Sequence, residues 1–143
     1  MLATEKLIND LSTNQRRAEQ LFSKFEYFSE LAKKSFAGDH PVVKGVSIKT
    51  TGQSIEVIFC QKKMLLVFKP IIPQGQSYLR GSIEIYSRED LPSQSLSPLK
   101  TIMFNPDGET ELKMPSINDL ININVDTHVI NIFLNLLNEL LIA

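Results

Sequence analysis

Two histidines and one cysteine are the side chains of this sequence best suited to proton transfer or nucleophilic attack. His40 follows Asp39 and His128 lies two residues after Asp126, so each imidazole has a nearby carboxylate for acid–base chemistry. Cys60 precedes a lysine pair whose charge would favour a thiolate. Each feature also has a structural explanation: a polar turn, a helix N-cap followed by a solvent-facing histidine, and a small buried strand residue. These explanations suffice, and we predict no catalytic residue.

No spacing typical of a metal or phosphate site occurs in the sequence. There is no CxxC, HExxH, GxGxxG or GxxxxGK[ST] segment, and the glycines are scattered one per turn or strand. We therefore predict no metal site and no cofactor.

Nucleic-acid binding would need a basic surface with aromatic side chains on the same face. Tyr78 and Tyr86 share the wet face of a predicted strand with Arg80, and the basic doublets are 16–17 and 62–63. The formal charge is only −1, from 15 basic and 16 acidic residues. This balance predicts that the chain does not bind nucleic acid.

Length and composition are those of one globular domain, predicted over residues 1–143. Apolar residues make up 43 %, which is enough for a core. The single cysteine gives no sign of an oxidising compartment. The longest apolar run, near the C-terminus, is shorter than the roughly 20 residues of a membrane span. We predict a cytoplasmic protein with no membrane span.

Residues 3–37 are predicted to form one long helix. Apolar residues recur at steps of three and four with a gap at Asn14, and Gly38 marks the end. The apolar positions are Leu7, Leu11, Ala18, Leu21, Phe25, Phe28 and Ala32. The alternative is a split into two helices, since residues 12–17 are all polar and Ser12 with Gln15 could form a capping box.

Residues 42–114 are predicted to form an antiparallel meander of five to six strands. Alternating residues before and after 51–52 indicate a hairpin. Residues 64–68 are apolar on both faces, which predicts a central strand covered on both sides and ended by Pro70 and Pro73. Strands at 79–86, 99–104 and 109–114 are separated by a polar loop at 87–98 and a strong turn at 105–108. Residues 116–125 fit either a strand or a helical turn.

Residues 126–142 are predicted to form a C-terminal helix with Asp126 as its N-cap. Its apolar side chains cover roughly 200° of the surface, twice what a helix lying on a sheet requires. The fold class is therefore α+β, with a C-terminal helix that needs two apolar neighbours.

The long helix is predicted to overhang the sheet, since about 50 Å of helix meets strands about 23 Å long. The overhang carries Leu7, Ile8 and Leu11. Excess apolar helical surface predicts a non-catalytic protein-interaction module whose partner is a second copy or another protein. Homodimerisation through the helices is favoured, with Leu7, Leu11, Ile132 and Leu136 at the interface.

The alternative is a small apolar-ligand-binding domain, or an enzyme, that uses a cavity between the sheet and a helix. The side chains expected to line this cavity are Phe59, Met64, Phe68, Met103 and Phe104.

Overall fold

The computed structural model describes residues 2–87, 98–114 and 120–142, and within them the chain folds as an α+β protein. The helices α1 and α2 lie at either end, and the five strands form one antiparallel meander with the order β1-β2-β3-β4-β5. The elements are α1 (Leu2–Ala37), β1 (Ser47–Thr51), β2 (Ser54–Phe59), β3 (Lys62–Ile71), β4 (Arg80–Ser87), β5 (Lys100–Phe104) and α2 (Asp126–Leu141). Most of the predicted 87–98 loop and part of the ambiguous 116–125 segment lie outside the described residues.

α1 is one continuous helix, so the alternative with a break at Ser12 is excluded. It ends at Ala37, as the sequence predicts. Gly38 permits this ending, because a Cβ there would lie 2.6 Å from the carbonyl oxygen of Lys34. The basic Lys34 in the last turn suits the negative end of the helix dipole.

β3 is the central strand, as predicted, but only one of its faces is fully covered. Met64, Leu66 and Phe68 are buried in the core shared with both helices. Leu65 and Val67 on the other face are half-buried. Polar neighbours on β2 and β4 flank them, since Leu65 pairs with Glu56 and Tyr86 and Val67 pairs with Glu84.

β3 also continues through Pro70, where the sequence predicts its end. The backbone N–H of Phe68 donates to the carbonyl oxygen of Gln53, so this N–H points towards β2. The backbone nitrogen of Pro70, two residues further on, points to the same edge of β3. The pairing of β2 with β3 ends at Ser54 and Val67, so no β2 residue lies opposite Pro70. The missing N–H of Pro70 therefore breaks no ladder hydrogen bond.

The β2–β3 hairpin contains a two-residue turn at Cys60 and Gln61, both with positive φ (50° and 66°). Two successive left-handed residues are characteristic of a type I′ turn. Cys60 is exposed in this turn, so the expectation of a small buried strand residue is wrong.

In place of the strand predicted at 109–114, the described residues form isolated bridges, among them Phe104 to Thr110 and Glu109 to Asn122. Thr110 explains why the pairing stops. Its hydroxyl accepts a hydrogen bond from the Leu112 N–H at 3.1 Å and donates to the Ile121 carbonyl oxygen at 2.9 Å. These side-chain bonds turn the backbone away from β5. The turn predicted at 105–108 is present, with Gly108 at φ 85°.

α2 begins one residue earlier than a cap at Asp126 would place it. Val125 is the N-cap and makes no side-chain cap bond, so the prediction for Asp126 is wrong. His128 is half-buried rather than solvent-facing, and its Nδ1 accepts a hydrogen bond from the Asn122 N–H at 2.9 Å. This bond fixes the segment that enters the helix.

The two apolar neighbours of α2 are the sheet and the second half of α1. Phe133 is fully buried, with ring centroids 5.4 Å from Phe28 and 5.7 Å from Phe36. Phe25 of α1 stacks on Phe68 of β3 at 5.2 Å. The wide apolar arc of α2 is thus largely covered by this chain itself. In the described part of the chain, neither helix has the length and apolarity needed to cross a bilayer.

Candidate functional site

The first five turns of α1, residues 2–20, extend beyond the core and are called the N-terminal arm below. Every side chain from Ala3 to Gln20 is exposed or half-buried, whereas burial begins at Leu21. At 1.5 Å per residue the arm is about 28 Å long. The overhang predicted from the sequence is therefore present.

Three large apolar side chains are exposed on the arm. Leu7, Ile8 and Leu11 are 58 %, 57 % and 62 % exposed. Leu7 and Leu11 are one helical turn apart and Ile8 adjoins both, so the three form one patch. Among the described side chains of α1, this apolar patch is the most concentrated exposure of aliphatic residues.

The four residues predicted at an interface lie in two different environments. Leu7 and Leu11 are on the exposed arm, while Ile132 and Leu136 are only 2 % and 3 % exposed in the core. The core positions belong to the α2 face that packs between α1 and the sheet. Only the arm positions are available to a partner without rearrangement of the fold.

A polar contact ties the base of the arm to the loop between β3 and β4. Asn14 Oδ1 accepts a hydrogen bond from the Leu79 N–H at 2.9 Å, and Asn14 Nδ2 donates to the Ser77 carbonyl oxygen at 3.4 Å. Arg17 Nε donates to the Leu79 carbonyl oxygen at 3.1 Å, and its guanidinium lies over the Tyr78 ring at 5.5 Å. We call this contact the arm clamp.

The arm clamp explains the gap that Asn14 makes in the apolar stripe. Asn14 lies 18 residues, or five helical turns, before Ala32, so it points in the same direction as that buried residue. At this level of the helix the neighbour is the backbone of a loop rather than apolar side chains. A side-chain amide can satisfy a donor and an acceptor of that backbone at once.

Beside the clamp, Arg17 and Arg80 line an open cleft of about 540 Å³ together with Gln76, Tyr78 and Asn105. Arg80 Nη1 lies 3.5 Å from Oε1 of the exposed Glu111. Its Nε is buried and has no hydrogen-bond partner among the described residues. The cleft is wide open, unlike an enclosed ligand site.

The tyrosines considered for nucleic-acid stacking have polar partners of their own. Tyr78 lies under Arg17, and the Tyr86 hydroxyl donates to Glu84 Oε2 at 3.2 Å. Lys69 Nζ lies 2.8 Å from Glu84 Oε1, and this hydrogen bond holds the pKa of Glu84 below its ordinary value. The proposal that the chain binds no nucleic acid stays a prediction.

The remaining residues with chemical potential are not gathered into one site. Asp39 and His40 are exposed in the segment after α1, and Cys60 is exposed in its turn. Among residues 2–87, 98–114 and 120–142, no three His, Cys, Asp or Glu side chains are grouped to hold a metal ion.

The side chains predicted to line an apolar cavity are mostly packed together. Met64, Phe68 and Phe104 are at most 2 % exposed, and the rings of Phe68 and Phe104 are 6.0 Å apart. Phe59 and Met103 are half-buried. Aromatic contacts at these distances are those of a packed protein interior.

Comparison with known proteins adds no family relationship. No protein-family model matches the chain, and neither a curated protein nor a solved structure matches it significantly.

Proposed function

We propose that this protein is a non-catalytic protein-interaction module that forms a homodimer through its N-terminal arm. The observation that carries the proposal is the apolar patch of Leu7, Ile8 and Leu11 on a helix segment that extends beyond the core. Contiguous exposed apolar side chains, rather than single ones, are typical of protein-binding surfaces.

The expected affinity can be estimated from the patch. Burying a whole Leu or Ile side chain stabilises a complex by about 1.5–3 kcal/mol, so burying the exposed fraction gives about 1–2 kcal/mol for each. Six such side chains in a dimer contribute about 6–12 kcal/mol. Association costs about 4–15 kcal/mol, so a weak dimer that is populated at high micromolar concentration is expected.

The charges of the arm are suited to a second copy. Its acidic and basic side chains are equal in number, so two arms do not repel each other as a whole. The acidic residues are Glu5, Asp10 and Glu19, and the basic residues are Lys6, Arg16 and Arg17. A partner with a strongly charged surface would gain no steering from such an arm.

Light scattering after size-exclusion chromatography tests the proposal, across a series from low to high micromolar concentration. The wild-type protein is expected to shift from monomer towards dimer over this series. Leu11→Glu is expected to remain monomeric with an unchanged circular dichroism spectrum, since Leu11 contributes nothing to the core.

Leu99→Glu is the matched control. Leu99 has the same 62 % exposure as Leu11 but lies before β5, away from the arm. It is expected to dimerise like the wild-type protein. A wild-type protein that stays monomeric at high micromolar concentration would overturn the proposal. An equal loss of dimer in Leu11→Glu and Leu99→Glu would also overturn it.

A further inference from the structure

We infer that the cleft lined by Arg17 and Arg80 binds the phosphate group of a small phosphate monoester. The inference goes beyond the proposed function, because none of the three apolar patch residues lines this cleft. It rests on two guanidinium groups that the fold brings to one place, and on the hydrogen-bonding capacity that they retain there.

The two arginines come together from distant positions in the sequence. Arg17 Nε donates to the carbonyl oxygen of Leu79 at 3.1 Å, and Leu79 is joined by its peptide bond to Arg80. Both arginine side chains line the same open cleft of about 540 Å³. No local sequence motif could display this arrangement, since the contact from Arg17 to Leu79 spans 62 positions.

The charge of the cleft is unbalanced, although the whole chain has a formal charge of −1. Apart from the two arginines, the described residues that line it are neutral: Gln76, Ser77, Tyr78 and Asn105. Two like charges in a concave part of a protein surface focus a potential that attracts ions of the opposite sign. A phosphate monoester carries about −1.5 to −2 charges at neutral pH. It therefore balances both arginines, whereas a carboxylate balances only one.

Arg80 has unused hydrogen-bonding capacity. Its side chain is only 20 % exposed, and its Nε is buried without a partner among the described residues. Its ion pair with Glu111 is long, 3.5 Å from Nη1 to Oε1, and the Glu111 side chain is 85 % exposed. A largely buried guanidinium that is so weakly paired is costly to the fold. A phosphate oxygen that accepts hydrogen bonds from the terminal nitrogens of Arg80 offsets this cost.

Arg17 is held in a fixed orientation beside the cleft. Its Nε is bonded to the Leu79 carbonyl oxygen, and its guanidinium lies over the Tyr78 ring at 5.5 Å. Neither contact uses the terminal nitrogens, which carry four of the five N–H donors of an arginine. A guanidinium that is already oriented loses little side-chain entropy when it binds an oxyanion.

NMR titration of the isotope-labelled full chain with methyl phosphate and with inorganic phosphate tests the inference. At neutral pH and constant ionic strength, the backbone amide signals of Ser77, Tyr78 and Arg80 are expected to shift along saturating curves. The expected dissociation constant is on the order of 1 mM, since the cleft is open. Acetate should bind at least about tenfold more weakly, because it carries a single charge. A cleft that takes inorganic phosphate but not methyl phosphate holds an adventitious ion only, and this result would overturn the inference.

Two substitutions should change phosphate binding in opposite directions. Arg80→Gln removes a charged donor and should weaken binding by at least about tenfold. Glu111→Gln removes the carboxylate that competes for Arg80 and should tighten binding about two- to fivefold. Arg16→Gln is the matched control, since Arg16 is exposed, adjoins Arg17 and does not line the cleft. It removes the same charge as Arg80→Gln and should leave binding within about twofold of the wild type.

The opposite signs separate a binding role of Arg80 from a structural one. Circular dichroism shows whether Arg80→Gln folds, and Glu111→Gln supplies the test if it does not. The absence of saturable shifts in the wild-type protein would overturn the inference, as would equal weakening by Arg16→Gln and Arg80→Gln or a failure of Glu111→Gln to tighten binding. Leu11→Glu should bind methyl phosphate like the wild type, so loss of the dimer and loss of the phosphate site are measured separately.

Discussion

Replacing Asn14 with Ala is expected to destabilise the protein, although Ala is the better helix former. In an isolated helix the change from Asn to Ala stabilises by about 0.6 kcal/mol, because Asn competes for backbone hydrogen bonds and loses side-chain entropy. The arm clamp opposes this gain. The sign of the measured change therefore reports whether the clamp stabilises the folded chain.

The cost of losing the clamp follows from its two hydrogen bonds. The bond from the Leu79 N–H is short, 2.9 Å, and half-buried, and without its acceptor that N–H is left unsatisfied at a cost of about 1–2 kcal/mol. The bond to the Ser77 carbonyl oxygen is long, 3.4 Å, and exposed, so it contributes little. The net destabilisation for Asn14→Ala is expected to be about 0.5–1.5 kcal/mol.

Asn9→Ala is the matched control, since Asn9 lies on the same arm, is exposed, and makes no hydrogen bond to another described residue. It should gain about 0.6 kcal/mol. Asn14→Asp keeps the acceptor for the Leu79 N–H and removes only the donor to Ser77, so it should cost less than Asn14→Ala.

Urea denaturation at low micromolar concentration measures the change in the free energy of unfolding of the whole chain. Native-state hydrogen exchange at the Leu79 amide measures the local one and should show faster exchange in Asn14→Ala. If Asn14→Ala stabilises the protein as much as Asn9→Ala and leaves Leu79 exchange unchanged, the clamp does not hold the arm.

Three further predictions concern the sheet. Gly81→Ala should destabilise the protein by about 3 kcal/mol in urea denaturation, because the new Cβ would lie 2.2 Å from the buried ring of Phe104. Adding Phe104→Leu should recover part of this loss, and strictly additive effects of the two substitutions would contradict the steric explanation. Gln61→Gly should raise the free energy of unfolding by about 0.5–1 kcal/mol, because a φ of 66° is strained for a residue with a Cβ and unstrained for glycine. A loss of stability would show that the contacts of the Gln61 side chain contribute more than the backbone strain costs. Lys69→Gln should raise the pKa of Glu84 in an NMR titration, and an unchanged pKa would contradict the ion pair. Because the pKa of Glu84 is lowered in the folded protein, the ionised carboxylate stabilises the fold above the ordinary value of 4.5, and this stabilisation is lost as the pH falls through the folded value. The stabilisation should be smaller in the variant.

The periodic elements were predictable because their patterns are local. The apolar stripe of α1 and the signal at Gly38 predicted a helix at 3–37, and the structure has Leu2–Ala37. The alternation around β1 and β2 predicted their hairpin. These elements depend on neighbours three to ten residues away, which a single sequence displays directly.

The errors occur where distant residues decide the outcome. Pro70 stays in β3 because β2 does not reach it, and Thr110 ends the last strand through a bond to Ile121. The arm clamp joins residues more than 60 positions apart, so the sequence alone left the alternative of two helices open beside the correct prediction of one. Only the fold showed that Leu11 is exposed while Leu136, an equally apolar position, is buried.

Pro70 also has a consequence for how the protein behaves in concentrated solution. The end of β3 extends past β2 and would offer an unpaired backbone edge to strands of other molecules. A proline on that side removes the amide donor that such a strand would need. The same residue that misled the sequence prediction therefore makes this end of the sheet a poor template for pairing with a strand of another molecule.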